Sequence, residues 1–437
     1  MSMTPIHQKH LFAWLALIVV PLAPLFGQEA TPPAVQLSVS VDRPDALYQV
    51  GETATFTIEA RQKGRPLAEG NVVCVFSEDG WKPQPPQTVT LTDGKATVTG
   101  KLDKPGFLLL RATIGKRTAL AGAGFDPLQI QPSTTVPEDF DEFWAKQKAA
   151  LAEVAAEAKL TPVTTPAEGI EAFDVQVDCL GAPVSGYFAR PQDAKPQSLP
   201  AILFVHGAGV RSASLERANW APRAGGMLVL DINAHGIPNG QQKEFYDALT
   251  EGELKDYRSV GRQDREQCYF KGMFLRLMRA IDFLAAQPEW DGKTLIVYGT
   301  SQGGFQALAA AGLDSRVSFI CAGVPAGCDH TGSLADRISG WPKLVPLNAQ
   351  GEPDPAALET SRYFDCVNFA SRAKCQGGVV TVGFIDTVCP PTSVYAAYNA
   401  LSVPKSIHFD VAAGHANTPA ALQFMNQAVD RHIREMK

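Results

Sequence analysis

The chain has 437 residues, of which 45% are hydrophobic and 19% are charged, and its formal net charge is -6. This length exceeds the size at which one hydrophobic core usually stops growing, so we expect two folded domains. The mild negative charge and the absence of a dense Lys/Arg run in the sequence argue against nucleic acid and anionic membranes as partners.

The first residues have the pattern of a secretory signal peptide. A positively charged start precedes an apolar run from Leu11 to about Phe26, which Pro21 and Pro24 interrupt and small Gly27 follows. This pattern predicts a signal peptide over residues 1–27 that is cleaved. The alternative is an uncleaved anchor, which the two helix-breaking prolines disfavour. We therefore expect a secreted or periplasmic protein with no membrane contact after cleavage.

The eight cysteines all lie after the predicted signal peptide, and export would permit disulfides. They are scattered, however, and Cys74, Cys179 and Cys321 sit inside apolar runs that resemble strands. Most of them are therefore expected to be small buried hydrophobic residues. No C-x-x-C spacing is present, so we expect no metal site and no cofactor.

The segment from Val35 to Phe125 alternates apolar and polar residues with period two. Its Asp93-Gly94 dipeptide suits the positive φ angles of a tight hairpin. About seven short strands without a helical period predict a small all-β, immunoglobulin-like sandwich over residues 30–130. Trp81 is its only tryptophan and offers a platform for carbohydrate stacking, but a single tryptophan more often belongs to the core. A role of the sandwich as a spacer or as an oligomer contact is therefore favoured over carbohydrate binding. A homo-oligomer is compatible with the sequence.

After a proline-marked junction at 127–137 the pattern changes to helices alternating with apolar strands. Such alternation predicts an α/β domain over residues 131–437, with a doubly wound, mostly parallel sheet. The predicted strands are Ile202–Val205, Met227–Ile232, Leu295–Tyr298, Val317–Val324, Val379–Phe384 and Ser406–Val411, and the predicted helices include Gln263–Ala286, Gly303–Ala311, Pro391–Leu401 and Pro419–Met436. Two long connections, Gly236 to about Gly261 and Pro325 to about Arg362, are expected to cover the carboxyl edge of this sheet and build a pocket.

Gly299-Thr300-Ser301-Gln302-Gly303 is a G-x-S-x-G motif between a predicted strand and a predicted helix. In this context the serine occupies a strained turn that exposes its hydroxyl, and the glycines avoid clashes with neighbouring backbone. The motif predicts an α/β-hydrolase fold with Ser301 as the nucleophile. An ordinary glycine-rich turn is the alternative.

A serine nucleophile needs a base, and in this fold the partners follow in the order Ser, acid, His. His415 lies in a glycine-containing loop between the last strand and the last helix, where the base is expected. His408 is interpreted as a strand residue and His432 as a solvated residue of the terminal helix. Asp386 directly follows the penultimate strand and is therefore the predicted acid, whereas Asp365 is interpreted as a helix cap.

The tetrahedral intermediate of ester hydrolysis needs two donors for its oxyanion. One is the backbone N–H of Gln302, the residue after the nucleophile. The segment Phe204-Val205-His206-Gly207-Ala208-Gly209 is a strand that ends in a glycine-containing loop and assigns the second donor to the N–H of Ala208. The side chain of His206 is interpreted as a stabiliser of this turn.

From about Glu138 to its end the chain resembles the acetyl xylan esterase/cephalosporin-C deacetylase family of carbohydrate esterases. The segments that carry the resemblance are Asp139-Phe140-Asp141-Glu142-Phe143-Trp144, His206-Gly207, Ser301-Gln302-Gly303, Asp386-Thr387-Val388-Cys389-Pro390-Pro391, Tyr395-Ala396-Ala397-Tyr398-Asn399 and Gly414-His415. The resemblance implies a catalytic triad of Ser301, Asp386 and His415 and an acetylated carbohydrate, such as xylan or xylo-oligosaccharides, as substrate.

The sequence also departs from the family pattern. Ala208 replaces the aromatic residue that usually follows His-Gly, Asn233-Ala234-His235 replaces an Arg-Gly-Gln motif, and Ala416 replaces a glutamate. The amino-terminal sandwich is an addition to the family pattern. In the two long connections, Trp341 and Tyr269 are candidate sugar-stacking residues. For each of them, a role as the anchor of its own loop is equally compatible with the sequence.

The leading hypothesis is a serine esterase that removes acetyl or similarly small acyl groups from carbohydrates. One alternative is a prolyl-oligopeptidase-like peptidase, which the short amino-terminal domain disfavours. A second is a non-catalytic carbohydrate-binding protein on a hydrolase scaffold, which the complete set of triad residue types disfavours.

Overall fold

The computed structural model describes residues 35–437, so the predicted signal peptide lies outside the described residues. The amino-terminal region forms a sandwich of two sheets, one of β1, β3, β4 and β7 and the other of β2, β5, β6, β8 and β9. The strands are β1 Gln36–Val41, β2 Leu47–Tyr48, β3 Ala54–Gln62, β4 Arg65–Pro66, β5 Asn71–Glu78, β6 Gln87–Thr90, β7 Lys95–Gly100, β8 Gly106–Ile114 and β9 Arg117–Phe125.

Alternating burial along β3 places Phe56 and Ile58 in the core between the two sheets. Asp93 and Gly94 form the expected turn with φ angles of 48° and 74°. The strands on either side of this turn then separate, because β6 pairs with β5 in one sheet and β7 pairs with β3 in the other. The predicted turn is therefore present, but it connects the two sheets.

The rest of the described chain is a nine-stranded sheet covered by helices. The helices are α1 Phe140–Ala152, α2 Lys243–Glu251, α3 Tyr269–Ala285, α4 Gln302–Leu313, α5 Pro355–Ser361, α6 Cys366–Ala370, α7 Pro391–Ala400 and α8 Pro419–Met436. The strands are β10 Ala158–Val163, β11 Ile170–Val177, β12 Val184–Pro191, β13 Leu199–Val205, β14 Leu228–Ile232, β15 Trp290–Thr300, β16 Phe319–Gly323, β17 Gly377–Gly383 and β18 Lys405–Asp410.

The strand order is β10-β11-β12-β14-β13-β15-β16-β17-β18, and all pairings from β14 to β18 are parallel. β13 and β17 are buried along their whole length because helices cover both faces of this part of the sheet. The carboxyl ends of β13, β15, β17 and β18 meet at one edge. The loops that carry Ala208, Ser301, Asp386 and His415 follow these four strands.

Three features differ from the sequence-based prediction. The antiparallel strands β10, β11 and β12 were missed. β10 is largely exposed, and polar residues interrupt β11 and β12, so none of the three has the continuous apolar run that marked the central strands. α3 begins at Tyr269 and not at Gln263, since turns occupy the intervening residues. The prediction of a solvated His432 is wrong: this side chain is buried, bonds to Ser318 at 2.9 Å and stacks on the ring of Phe319.

All eight cysteines are free and buried, which agrees with their interpretation as small hydrophobic residues. Among residues 35–437, no helix combines the length and the apolar character needed to cross a membrane.

Candidate active site

Ser301 stands between the end of β15 and the start of α4, with a φ of 59° and a ψ of -120°. A side chain at Gly299 would place its Cβ 2.3 Å from the carbonyl oxygen of Gly303. A Cβ at Gly303 would lie 2.3 Å from the carbonyl oxygen of Val205. Both glycines are therefore required by close backbone contacts, and the sharp turn directs Ser301 to the carboxyl edge of the sheet.

His415 lies in the loop between β18 and α8 and bonds to two of the predicted site residues. Its Nε2 is 2.8 Å from the Oγ of Ser301, and its Nδ1 is 2.8 Å from the Oδ2 of Asp386. Asp386 is fully buried, whereas 23% of the His415 side chain is exposed. The three side chains thus form one hydrogen-bonded chain that leads from the protein interior to the edge of the sheet.

The second carboxylate oxygen of Asp386 is held by its own loop. Oδ1 accepts hydrogen bonds from the N–H groups of Val388 and Cys389, at 2.8 and 2.9 Å. These bonds leave Oδ2 directed at His415. Asp365 caps α6 by accepting from the N–H of Val367, as predicted.

Sequence reasoning missed the residue that anchors the histidine loop. Asn417 donates to Thr300 Oγ1 at 2.9 Å and accepts from Thr381 Oγ1 at 2.5 Å. It thereby connects the loop that carries His415 to the end of β15 and to β17. Its position two residues after His415 and its short polar side chain were the available signals.

The two predicted oxyanion donors belong to segments close to Ser301: Gln302 follows it directly, and an added Cβ at Gly207, the residue before Ala208, would lie 3.7 Å from the Cβ of Ser301. The N–H of Gln302 opens α4, so it has no acceptor within the helix. The N–H of Ala208 has no hydrogen-bond acceptor among residues 35–437. The preceding His206 bonds to buried Asp231 at 2.5 Å, which fits its interpretation as a stabiliser of the turn. Two backbone donors therefore remain free near the nucleophile.

Trp341 and Ala208 line one cavity of about 390 Å³, together with Tyr257 from the first long connection. A second cavity of about 340 Å³ includes Ser301 and Arg211 in its lining. The cavity beside Trp341 thus reaches the loop that contains Ala208.

Tyr269 does not belong to the lining of the Trp341 cavity. Its hydroxyl is 2.7 Å from the Nδ1 of His235 and 3.1 Å from the carbonyl oxygen of Ala234, and burial raises its pKa. Its ring packs against the ring of Tyr257, with 4.7 Å between the centroids. These contacts are those of a residue that anchors the start of α3 to Ala234 and His235, and a direct contact of Tyr269 with substrate stays a prediction.

In the described part of the chain, the group with potential metal-ligand atoms is Asp386, Cys389 and His415, whose atoms lie within 4.8 Å of one another. Asp386 and His415 are already hydrogen-bonded in the arrangement described above, and burial raises the pKa of the Cys389 thiol well above its usual value. Such a thiol is a poor metal ligand, since the thiolate is the coordinating form.

Comparison with known proteins identifies several relatives. A model of the acetyl xylan esterase family matches residues 127–432. An acetyl esterase of Xylanibacter ruminicola is 33% identical over 374 residues, which represent 83% of this chain and 82% of that protein. An acetyl xylan esterase from a Paenibacillus species has a TM-score of 0.60 at 30% identity, and the match covers 70% of this chain and 98% of the other.

Acetyl xylan esterase 1 from a Thermoanaerobacterium species has a TM-score of 0.56 at 22% identity, over 70% of this chain and 97% of its own. That match concerns the fold alone. Together these matches confirm the predicted fold class, an α/β-hydrolase preceded by a strand-rich region. The alignment with the Xylanibacter esterase is long enough to extend into the residues before the family model.

Proposed function

We propose that this chain, which belongs to the acetyl xylan esterase family, removes acetyl groups from carbohydrates with Ser301 as its nucleophile. Membership in this family makes the chain a carboxylic-ester hydrolase. The single observation that supports the serine mechanism best is the pair of 2.8 Å hydrogen bonds that join His415 to Ser301 and to Asp386.

In the proposed reaction, Ser301 Oγ attacks the carbonyl carbon of the acetyl ester while His415 Nε2 takes the hydroxyl proton. Buried Asp386 holds the Nδ1–H of His415, so that Nε2 is free to accept that proton, and it stabilises the imidazolium that results. The backbone N–H groups of Ala208 and Gln302 donate to the developing oxyanion, a contribution worth roughly 3 kcal/mol for each donor.

When the tetrahedral intermediate collapses, His415 returns the proton to the departing sugar oxygen, and acetyl-Ser301 remains. Water then attacks this ester with His415 again as the base, which releases acetate and restores the serine. The reaction uses groups of the chain itself and one water molecule.

The proposed substrate is acetylated xylan or an acetylated xylo-oligosaccharide. The related proteins named above are acetyl and acetyl xylan esterases, and a polymeric substrate suits an exported enzyme. Trp341 is the proposed sugar-stacking residue, since it lines the cavity next to Ala208. Export through a signal peptide over residues 1–27, a division near residue 130 into sandwich and esterase, and a homo-oligomer belong to this proposal.

The first experiment replaces Ser301 with alanine and measures hydrolysis of p-nitrophenyl acetate. We expect a loss of about 10⁶-fold in kcat, because removal of the nucleophile leaves only binding and the oxyanion donors. Ser198→Ala is the matched control, since this exposed serine just before β13 also donates its hydroxyl to a backbone carbonyl oxygen, that of Lys195. Activity retained by Ser301→Ala in a folded protein would contradict the mechanism.

A second measurement addresses the substrate. Wild-type protein is given p-nitrophenyl esters of increasing acyl length and, separately, acetylated xylo-oligosaccharides, with release of p-nitrophenol and of acetate as readouts. We expect the acetyl ester to be the best of the series and acetate to be released from the oligosaccharides. A preference for long acyl chains, or cleavage of peptides, would contradict the carbohydrate assignment.

A further inference from the structure

We propose that Tyr257 and Arg211 are positioning residues of the oxyanion hole, and that the hydroxyl of Tyr257 holds its two donor segments together. This inference rests on the proposed function, since it assigns a role relative to the donors of Ala208 and Gln302. Neither residue belongs to the set that the sequence predicted for the site.

The donor loop has almost no side chains with which to fix itself. It consists of Gly207, Ala208 and Gly209, and Gly209 has a φ of 124°. A backbone of this composition has many accessible conformations, so its orientation must come from contacts with other parts of the molecule. Preorganised donors stabilise an oxyanion because they need not reorient during the reaction.

Arg211 supplies the first such contact. Its Nη2 donates to the carbonyl oxygen of Gly207 at 3.2 Å, and its Nη1 donates to the carbonyl oxygen of Ala208 at 3.1 Å. The carbonyl of Gly207 and the N–H of Ala208 belong to one planar peptide group and point in opposite directions. A guanidinium that holds this carbonyl therefore also sets the direction of the Ala208 N–H.

Tyr257 supplies the second contact. Its hydroxyl accepts from the N–H of Gly209 at 3.3 Å and donates to the Oε1 of Gln302 at 2.8 Å. One buried oxygen atom thus bonds to the residue after one donor and to the side chain of the residue that carries the other. The two donor segments come from distant parts of the sequence, and Tyr257 connects them directly.

A third contact keeps Tyr257 in place. His235 lies with its Nε2 3.2 Å from the carbonyl oxygen of Gly209 and its ring perpendicular to that of Tyr257, at 4.7 Å between centroids. Burial lowers the pKa of His235 to about 4, so the ring is neutral at neutral pH. The carbonyl of Gly209 can only accept, so Nε2 of His235 carries the proton and Nδ1 accepts the hydroxyl hydrogen of Tyr269, while Arg276 supplies the donors to the carbonyl oxygen of Ala234.

The test replaces Tyr257 with phenylalanine, which removes the hydroxyl and keeps the ring. We expect kcat for p-nitrophenyl acetate to fall about tenfold, less than the loss of a direct donor, with KM little changed. Tyr246→Phe is the matched control. Tyr246 is 9% exposed, as Tyr257 is, and its hydroxyl also accepts from one N–H, of Gln241, and donates to one oxygen, of Pro238. It has no contact with the donor loop.

A second readout separates positioning from general destabilisation. Phenylboronic acid adds to a serine Oγ as a tetrahedral adduct, so its inhibition constant for the wild type and for Tyr257→Phe reports on the oxyanion hole without turnover. We expect this constant to rise by about the same tenfold factor in Tyr257→Phe and to stay unchanged in Tyr246→Phe. Arg211→Lys, which keeps the charge but loses the planar fork, should also lower kcat.

The proposal is overturned if Tyr257→Phe leaves kcat and the inhibition constant at wild-type values, or if Tyr246→Phe changes both by the same factor. Failure of this proposal remains distinguishable from failure of the proposed function. In the first case Ser301→Ala is still inactive while Tyr257→Phe is not impaired, and in the second case Ser301→Ala itself retains activity.

Discussion

The two sides of the candidate site are supported by different parts of the molecule. On the oxyanion side, Arg211, Tyr257 and His235 hold the donor loop through hydrogen bonds, and all three belong to the hydrolase fold itself. On the acid side, the loop and helix that follow Asp386 pack against the amino-terminal sandwich. Within residues 35–437, the sandwich therefore packs beside the loop of the proposed acid Asp386, whereas the residues that bond to the donor loop come from outside the sandwich.

The contact with the sandwich is close and largely apolar. Phe107 of β8 packs on Phe384 and on Tyr395, with ring centroids 4.8 and 5.4 Å apart. Gly122 of β9 lies so near that an added Cβ would be 2.2 Å from the carbonyl oxygen of Phe384. Phe384 precedes Asp386 by two residues, so this packing reaches the start of the acid loop.

One polar contact also joins the sandwich to the hydrolase region. Buried Asp79 of the sandwich accepts hydrogen bonds from the N–H of Thr392, at 2.9 Å, and from its hydroxyl. Thr392 is the second residue of α7, so Asp79 caps a helix of the other region and places a carboxylate at its amino end. Residues of the sandwich thus complete the acid side, whereas loops of the hydrolase fold itself complete the oxyanion side.

Among the substitutions that test this comparison of the two sides, the largest effect is expected at the centre of the acid side. In Asp386→Asn the side-chain amide would donate to Nδ1 of His415, so the imidazole proton would move to Nε2. A protonated Nε2 can no longer accept the hydroxyl proton of Ser301. We expect kcat for p-nitrophenyl acetate to fall roughly 10⁴-fold with the fold intact. Asp247→Asn, on the exposed face of α2, is a control with the same chemical change. A loss below about tenfold would contradict the role of Asp386.

A smaller effect is expected from the polar contact of the sandwich. Burial raises the pKa of Asp79 to about 7, against the opposing effect of its bonds to Thr392, whereas the unfolded chain has a value near 3.8. The folded protein therefore binds more protons than the unfolded chain between these two values. The stability that Asp79 contributes is present at low pH and is lost as the pH rises from about 4 to about 7.

Asp79→Asn should remove this contribution, because asparagine keeps an acceptor for Thr392 and does not titrate. We expect the Tm of the wild type to fall relative to that of Asp79→Asn as the pH is raised from about 5 to about 8, a range that brackets the titration of Asp79. The control is Asp103→Asn, which makes the same chemical change at an exposed carboxylate of the sandwich that pairs with Lys101 at the surface. Parallel Tm curves for the wild type and Asp79→Asn would contradict this assignment.

The sequence was most informative where local backbone requirements dictate residue type. Ser301 and its two flanking glycines could be identified because the strained turn accepts few alternatives, and His415 could be placed because it follows the last strand in a glycine loop. The central parallel strands were found because burial on both faces makes them continuously apolar.

What the sequence did not predict depends on contacts between distant segments. Tyr257 bonds to Gly209 and to Gln302, residues 48 and 45 positions away, and nothing in its own neighbourhood marks it. Asp79 lies 313 positions from Thr392, and no motif in the sequence around it indicates this contact. His432 was misassigned because a polar residue in a terminal helix is usually exposed, and its partner Ser318 is on a different element.

The central claim is that Ser301 forms a covalent acetyl ester during turnover. The most direct test mixes the enzyme with p-nitrophenyl acetate, quenches the reaction in acid within the first turnover and identifies modified peptides by mass spectrometry. We expect one added acetyl group on the peptide that contains Ser301, and none on that peptide in Ser301→Ala. Acetate release by the wild type with no acetyl group on Ser301 at any quench time, or with a stable acetyl group on another residue, would contradict the central claim.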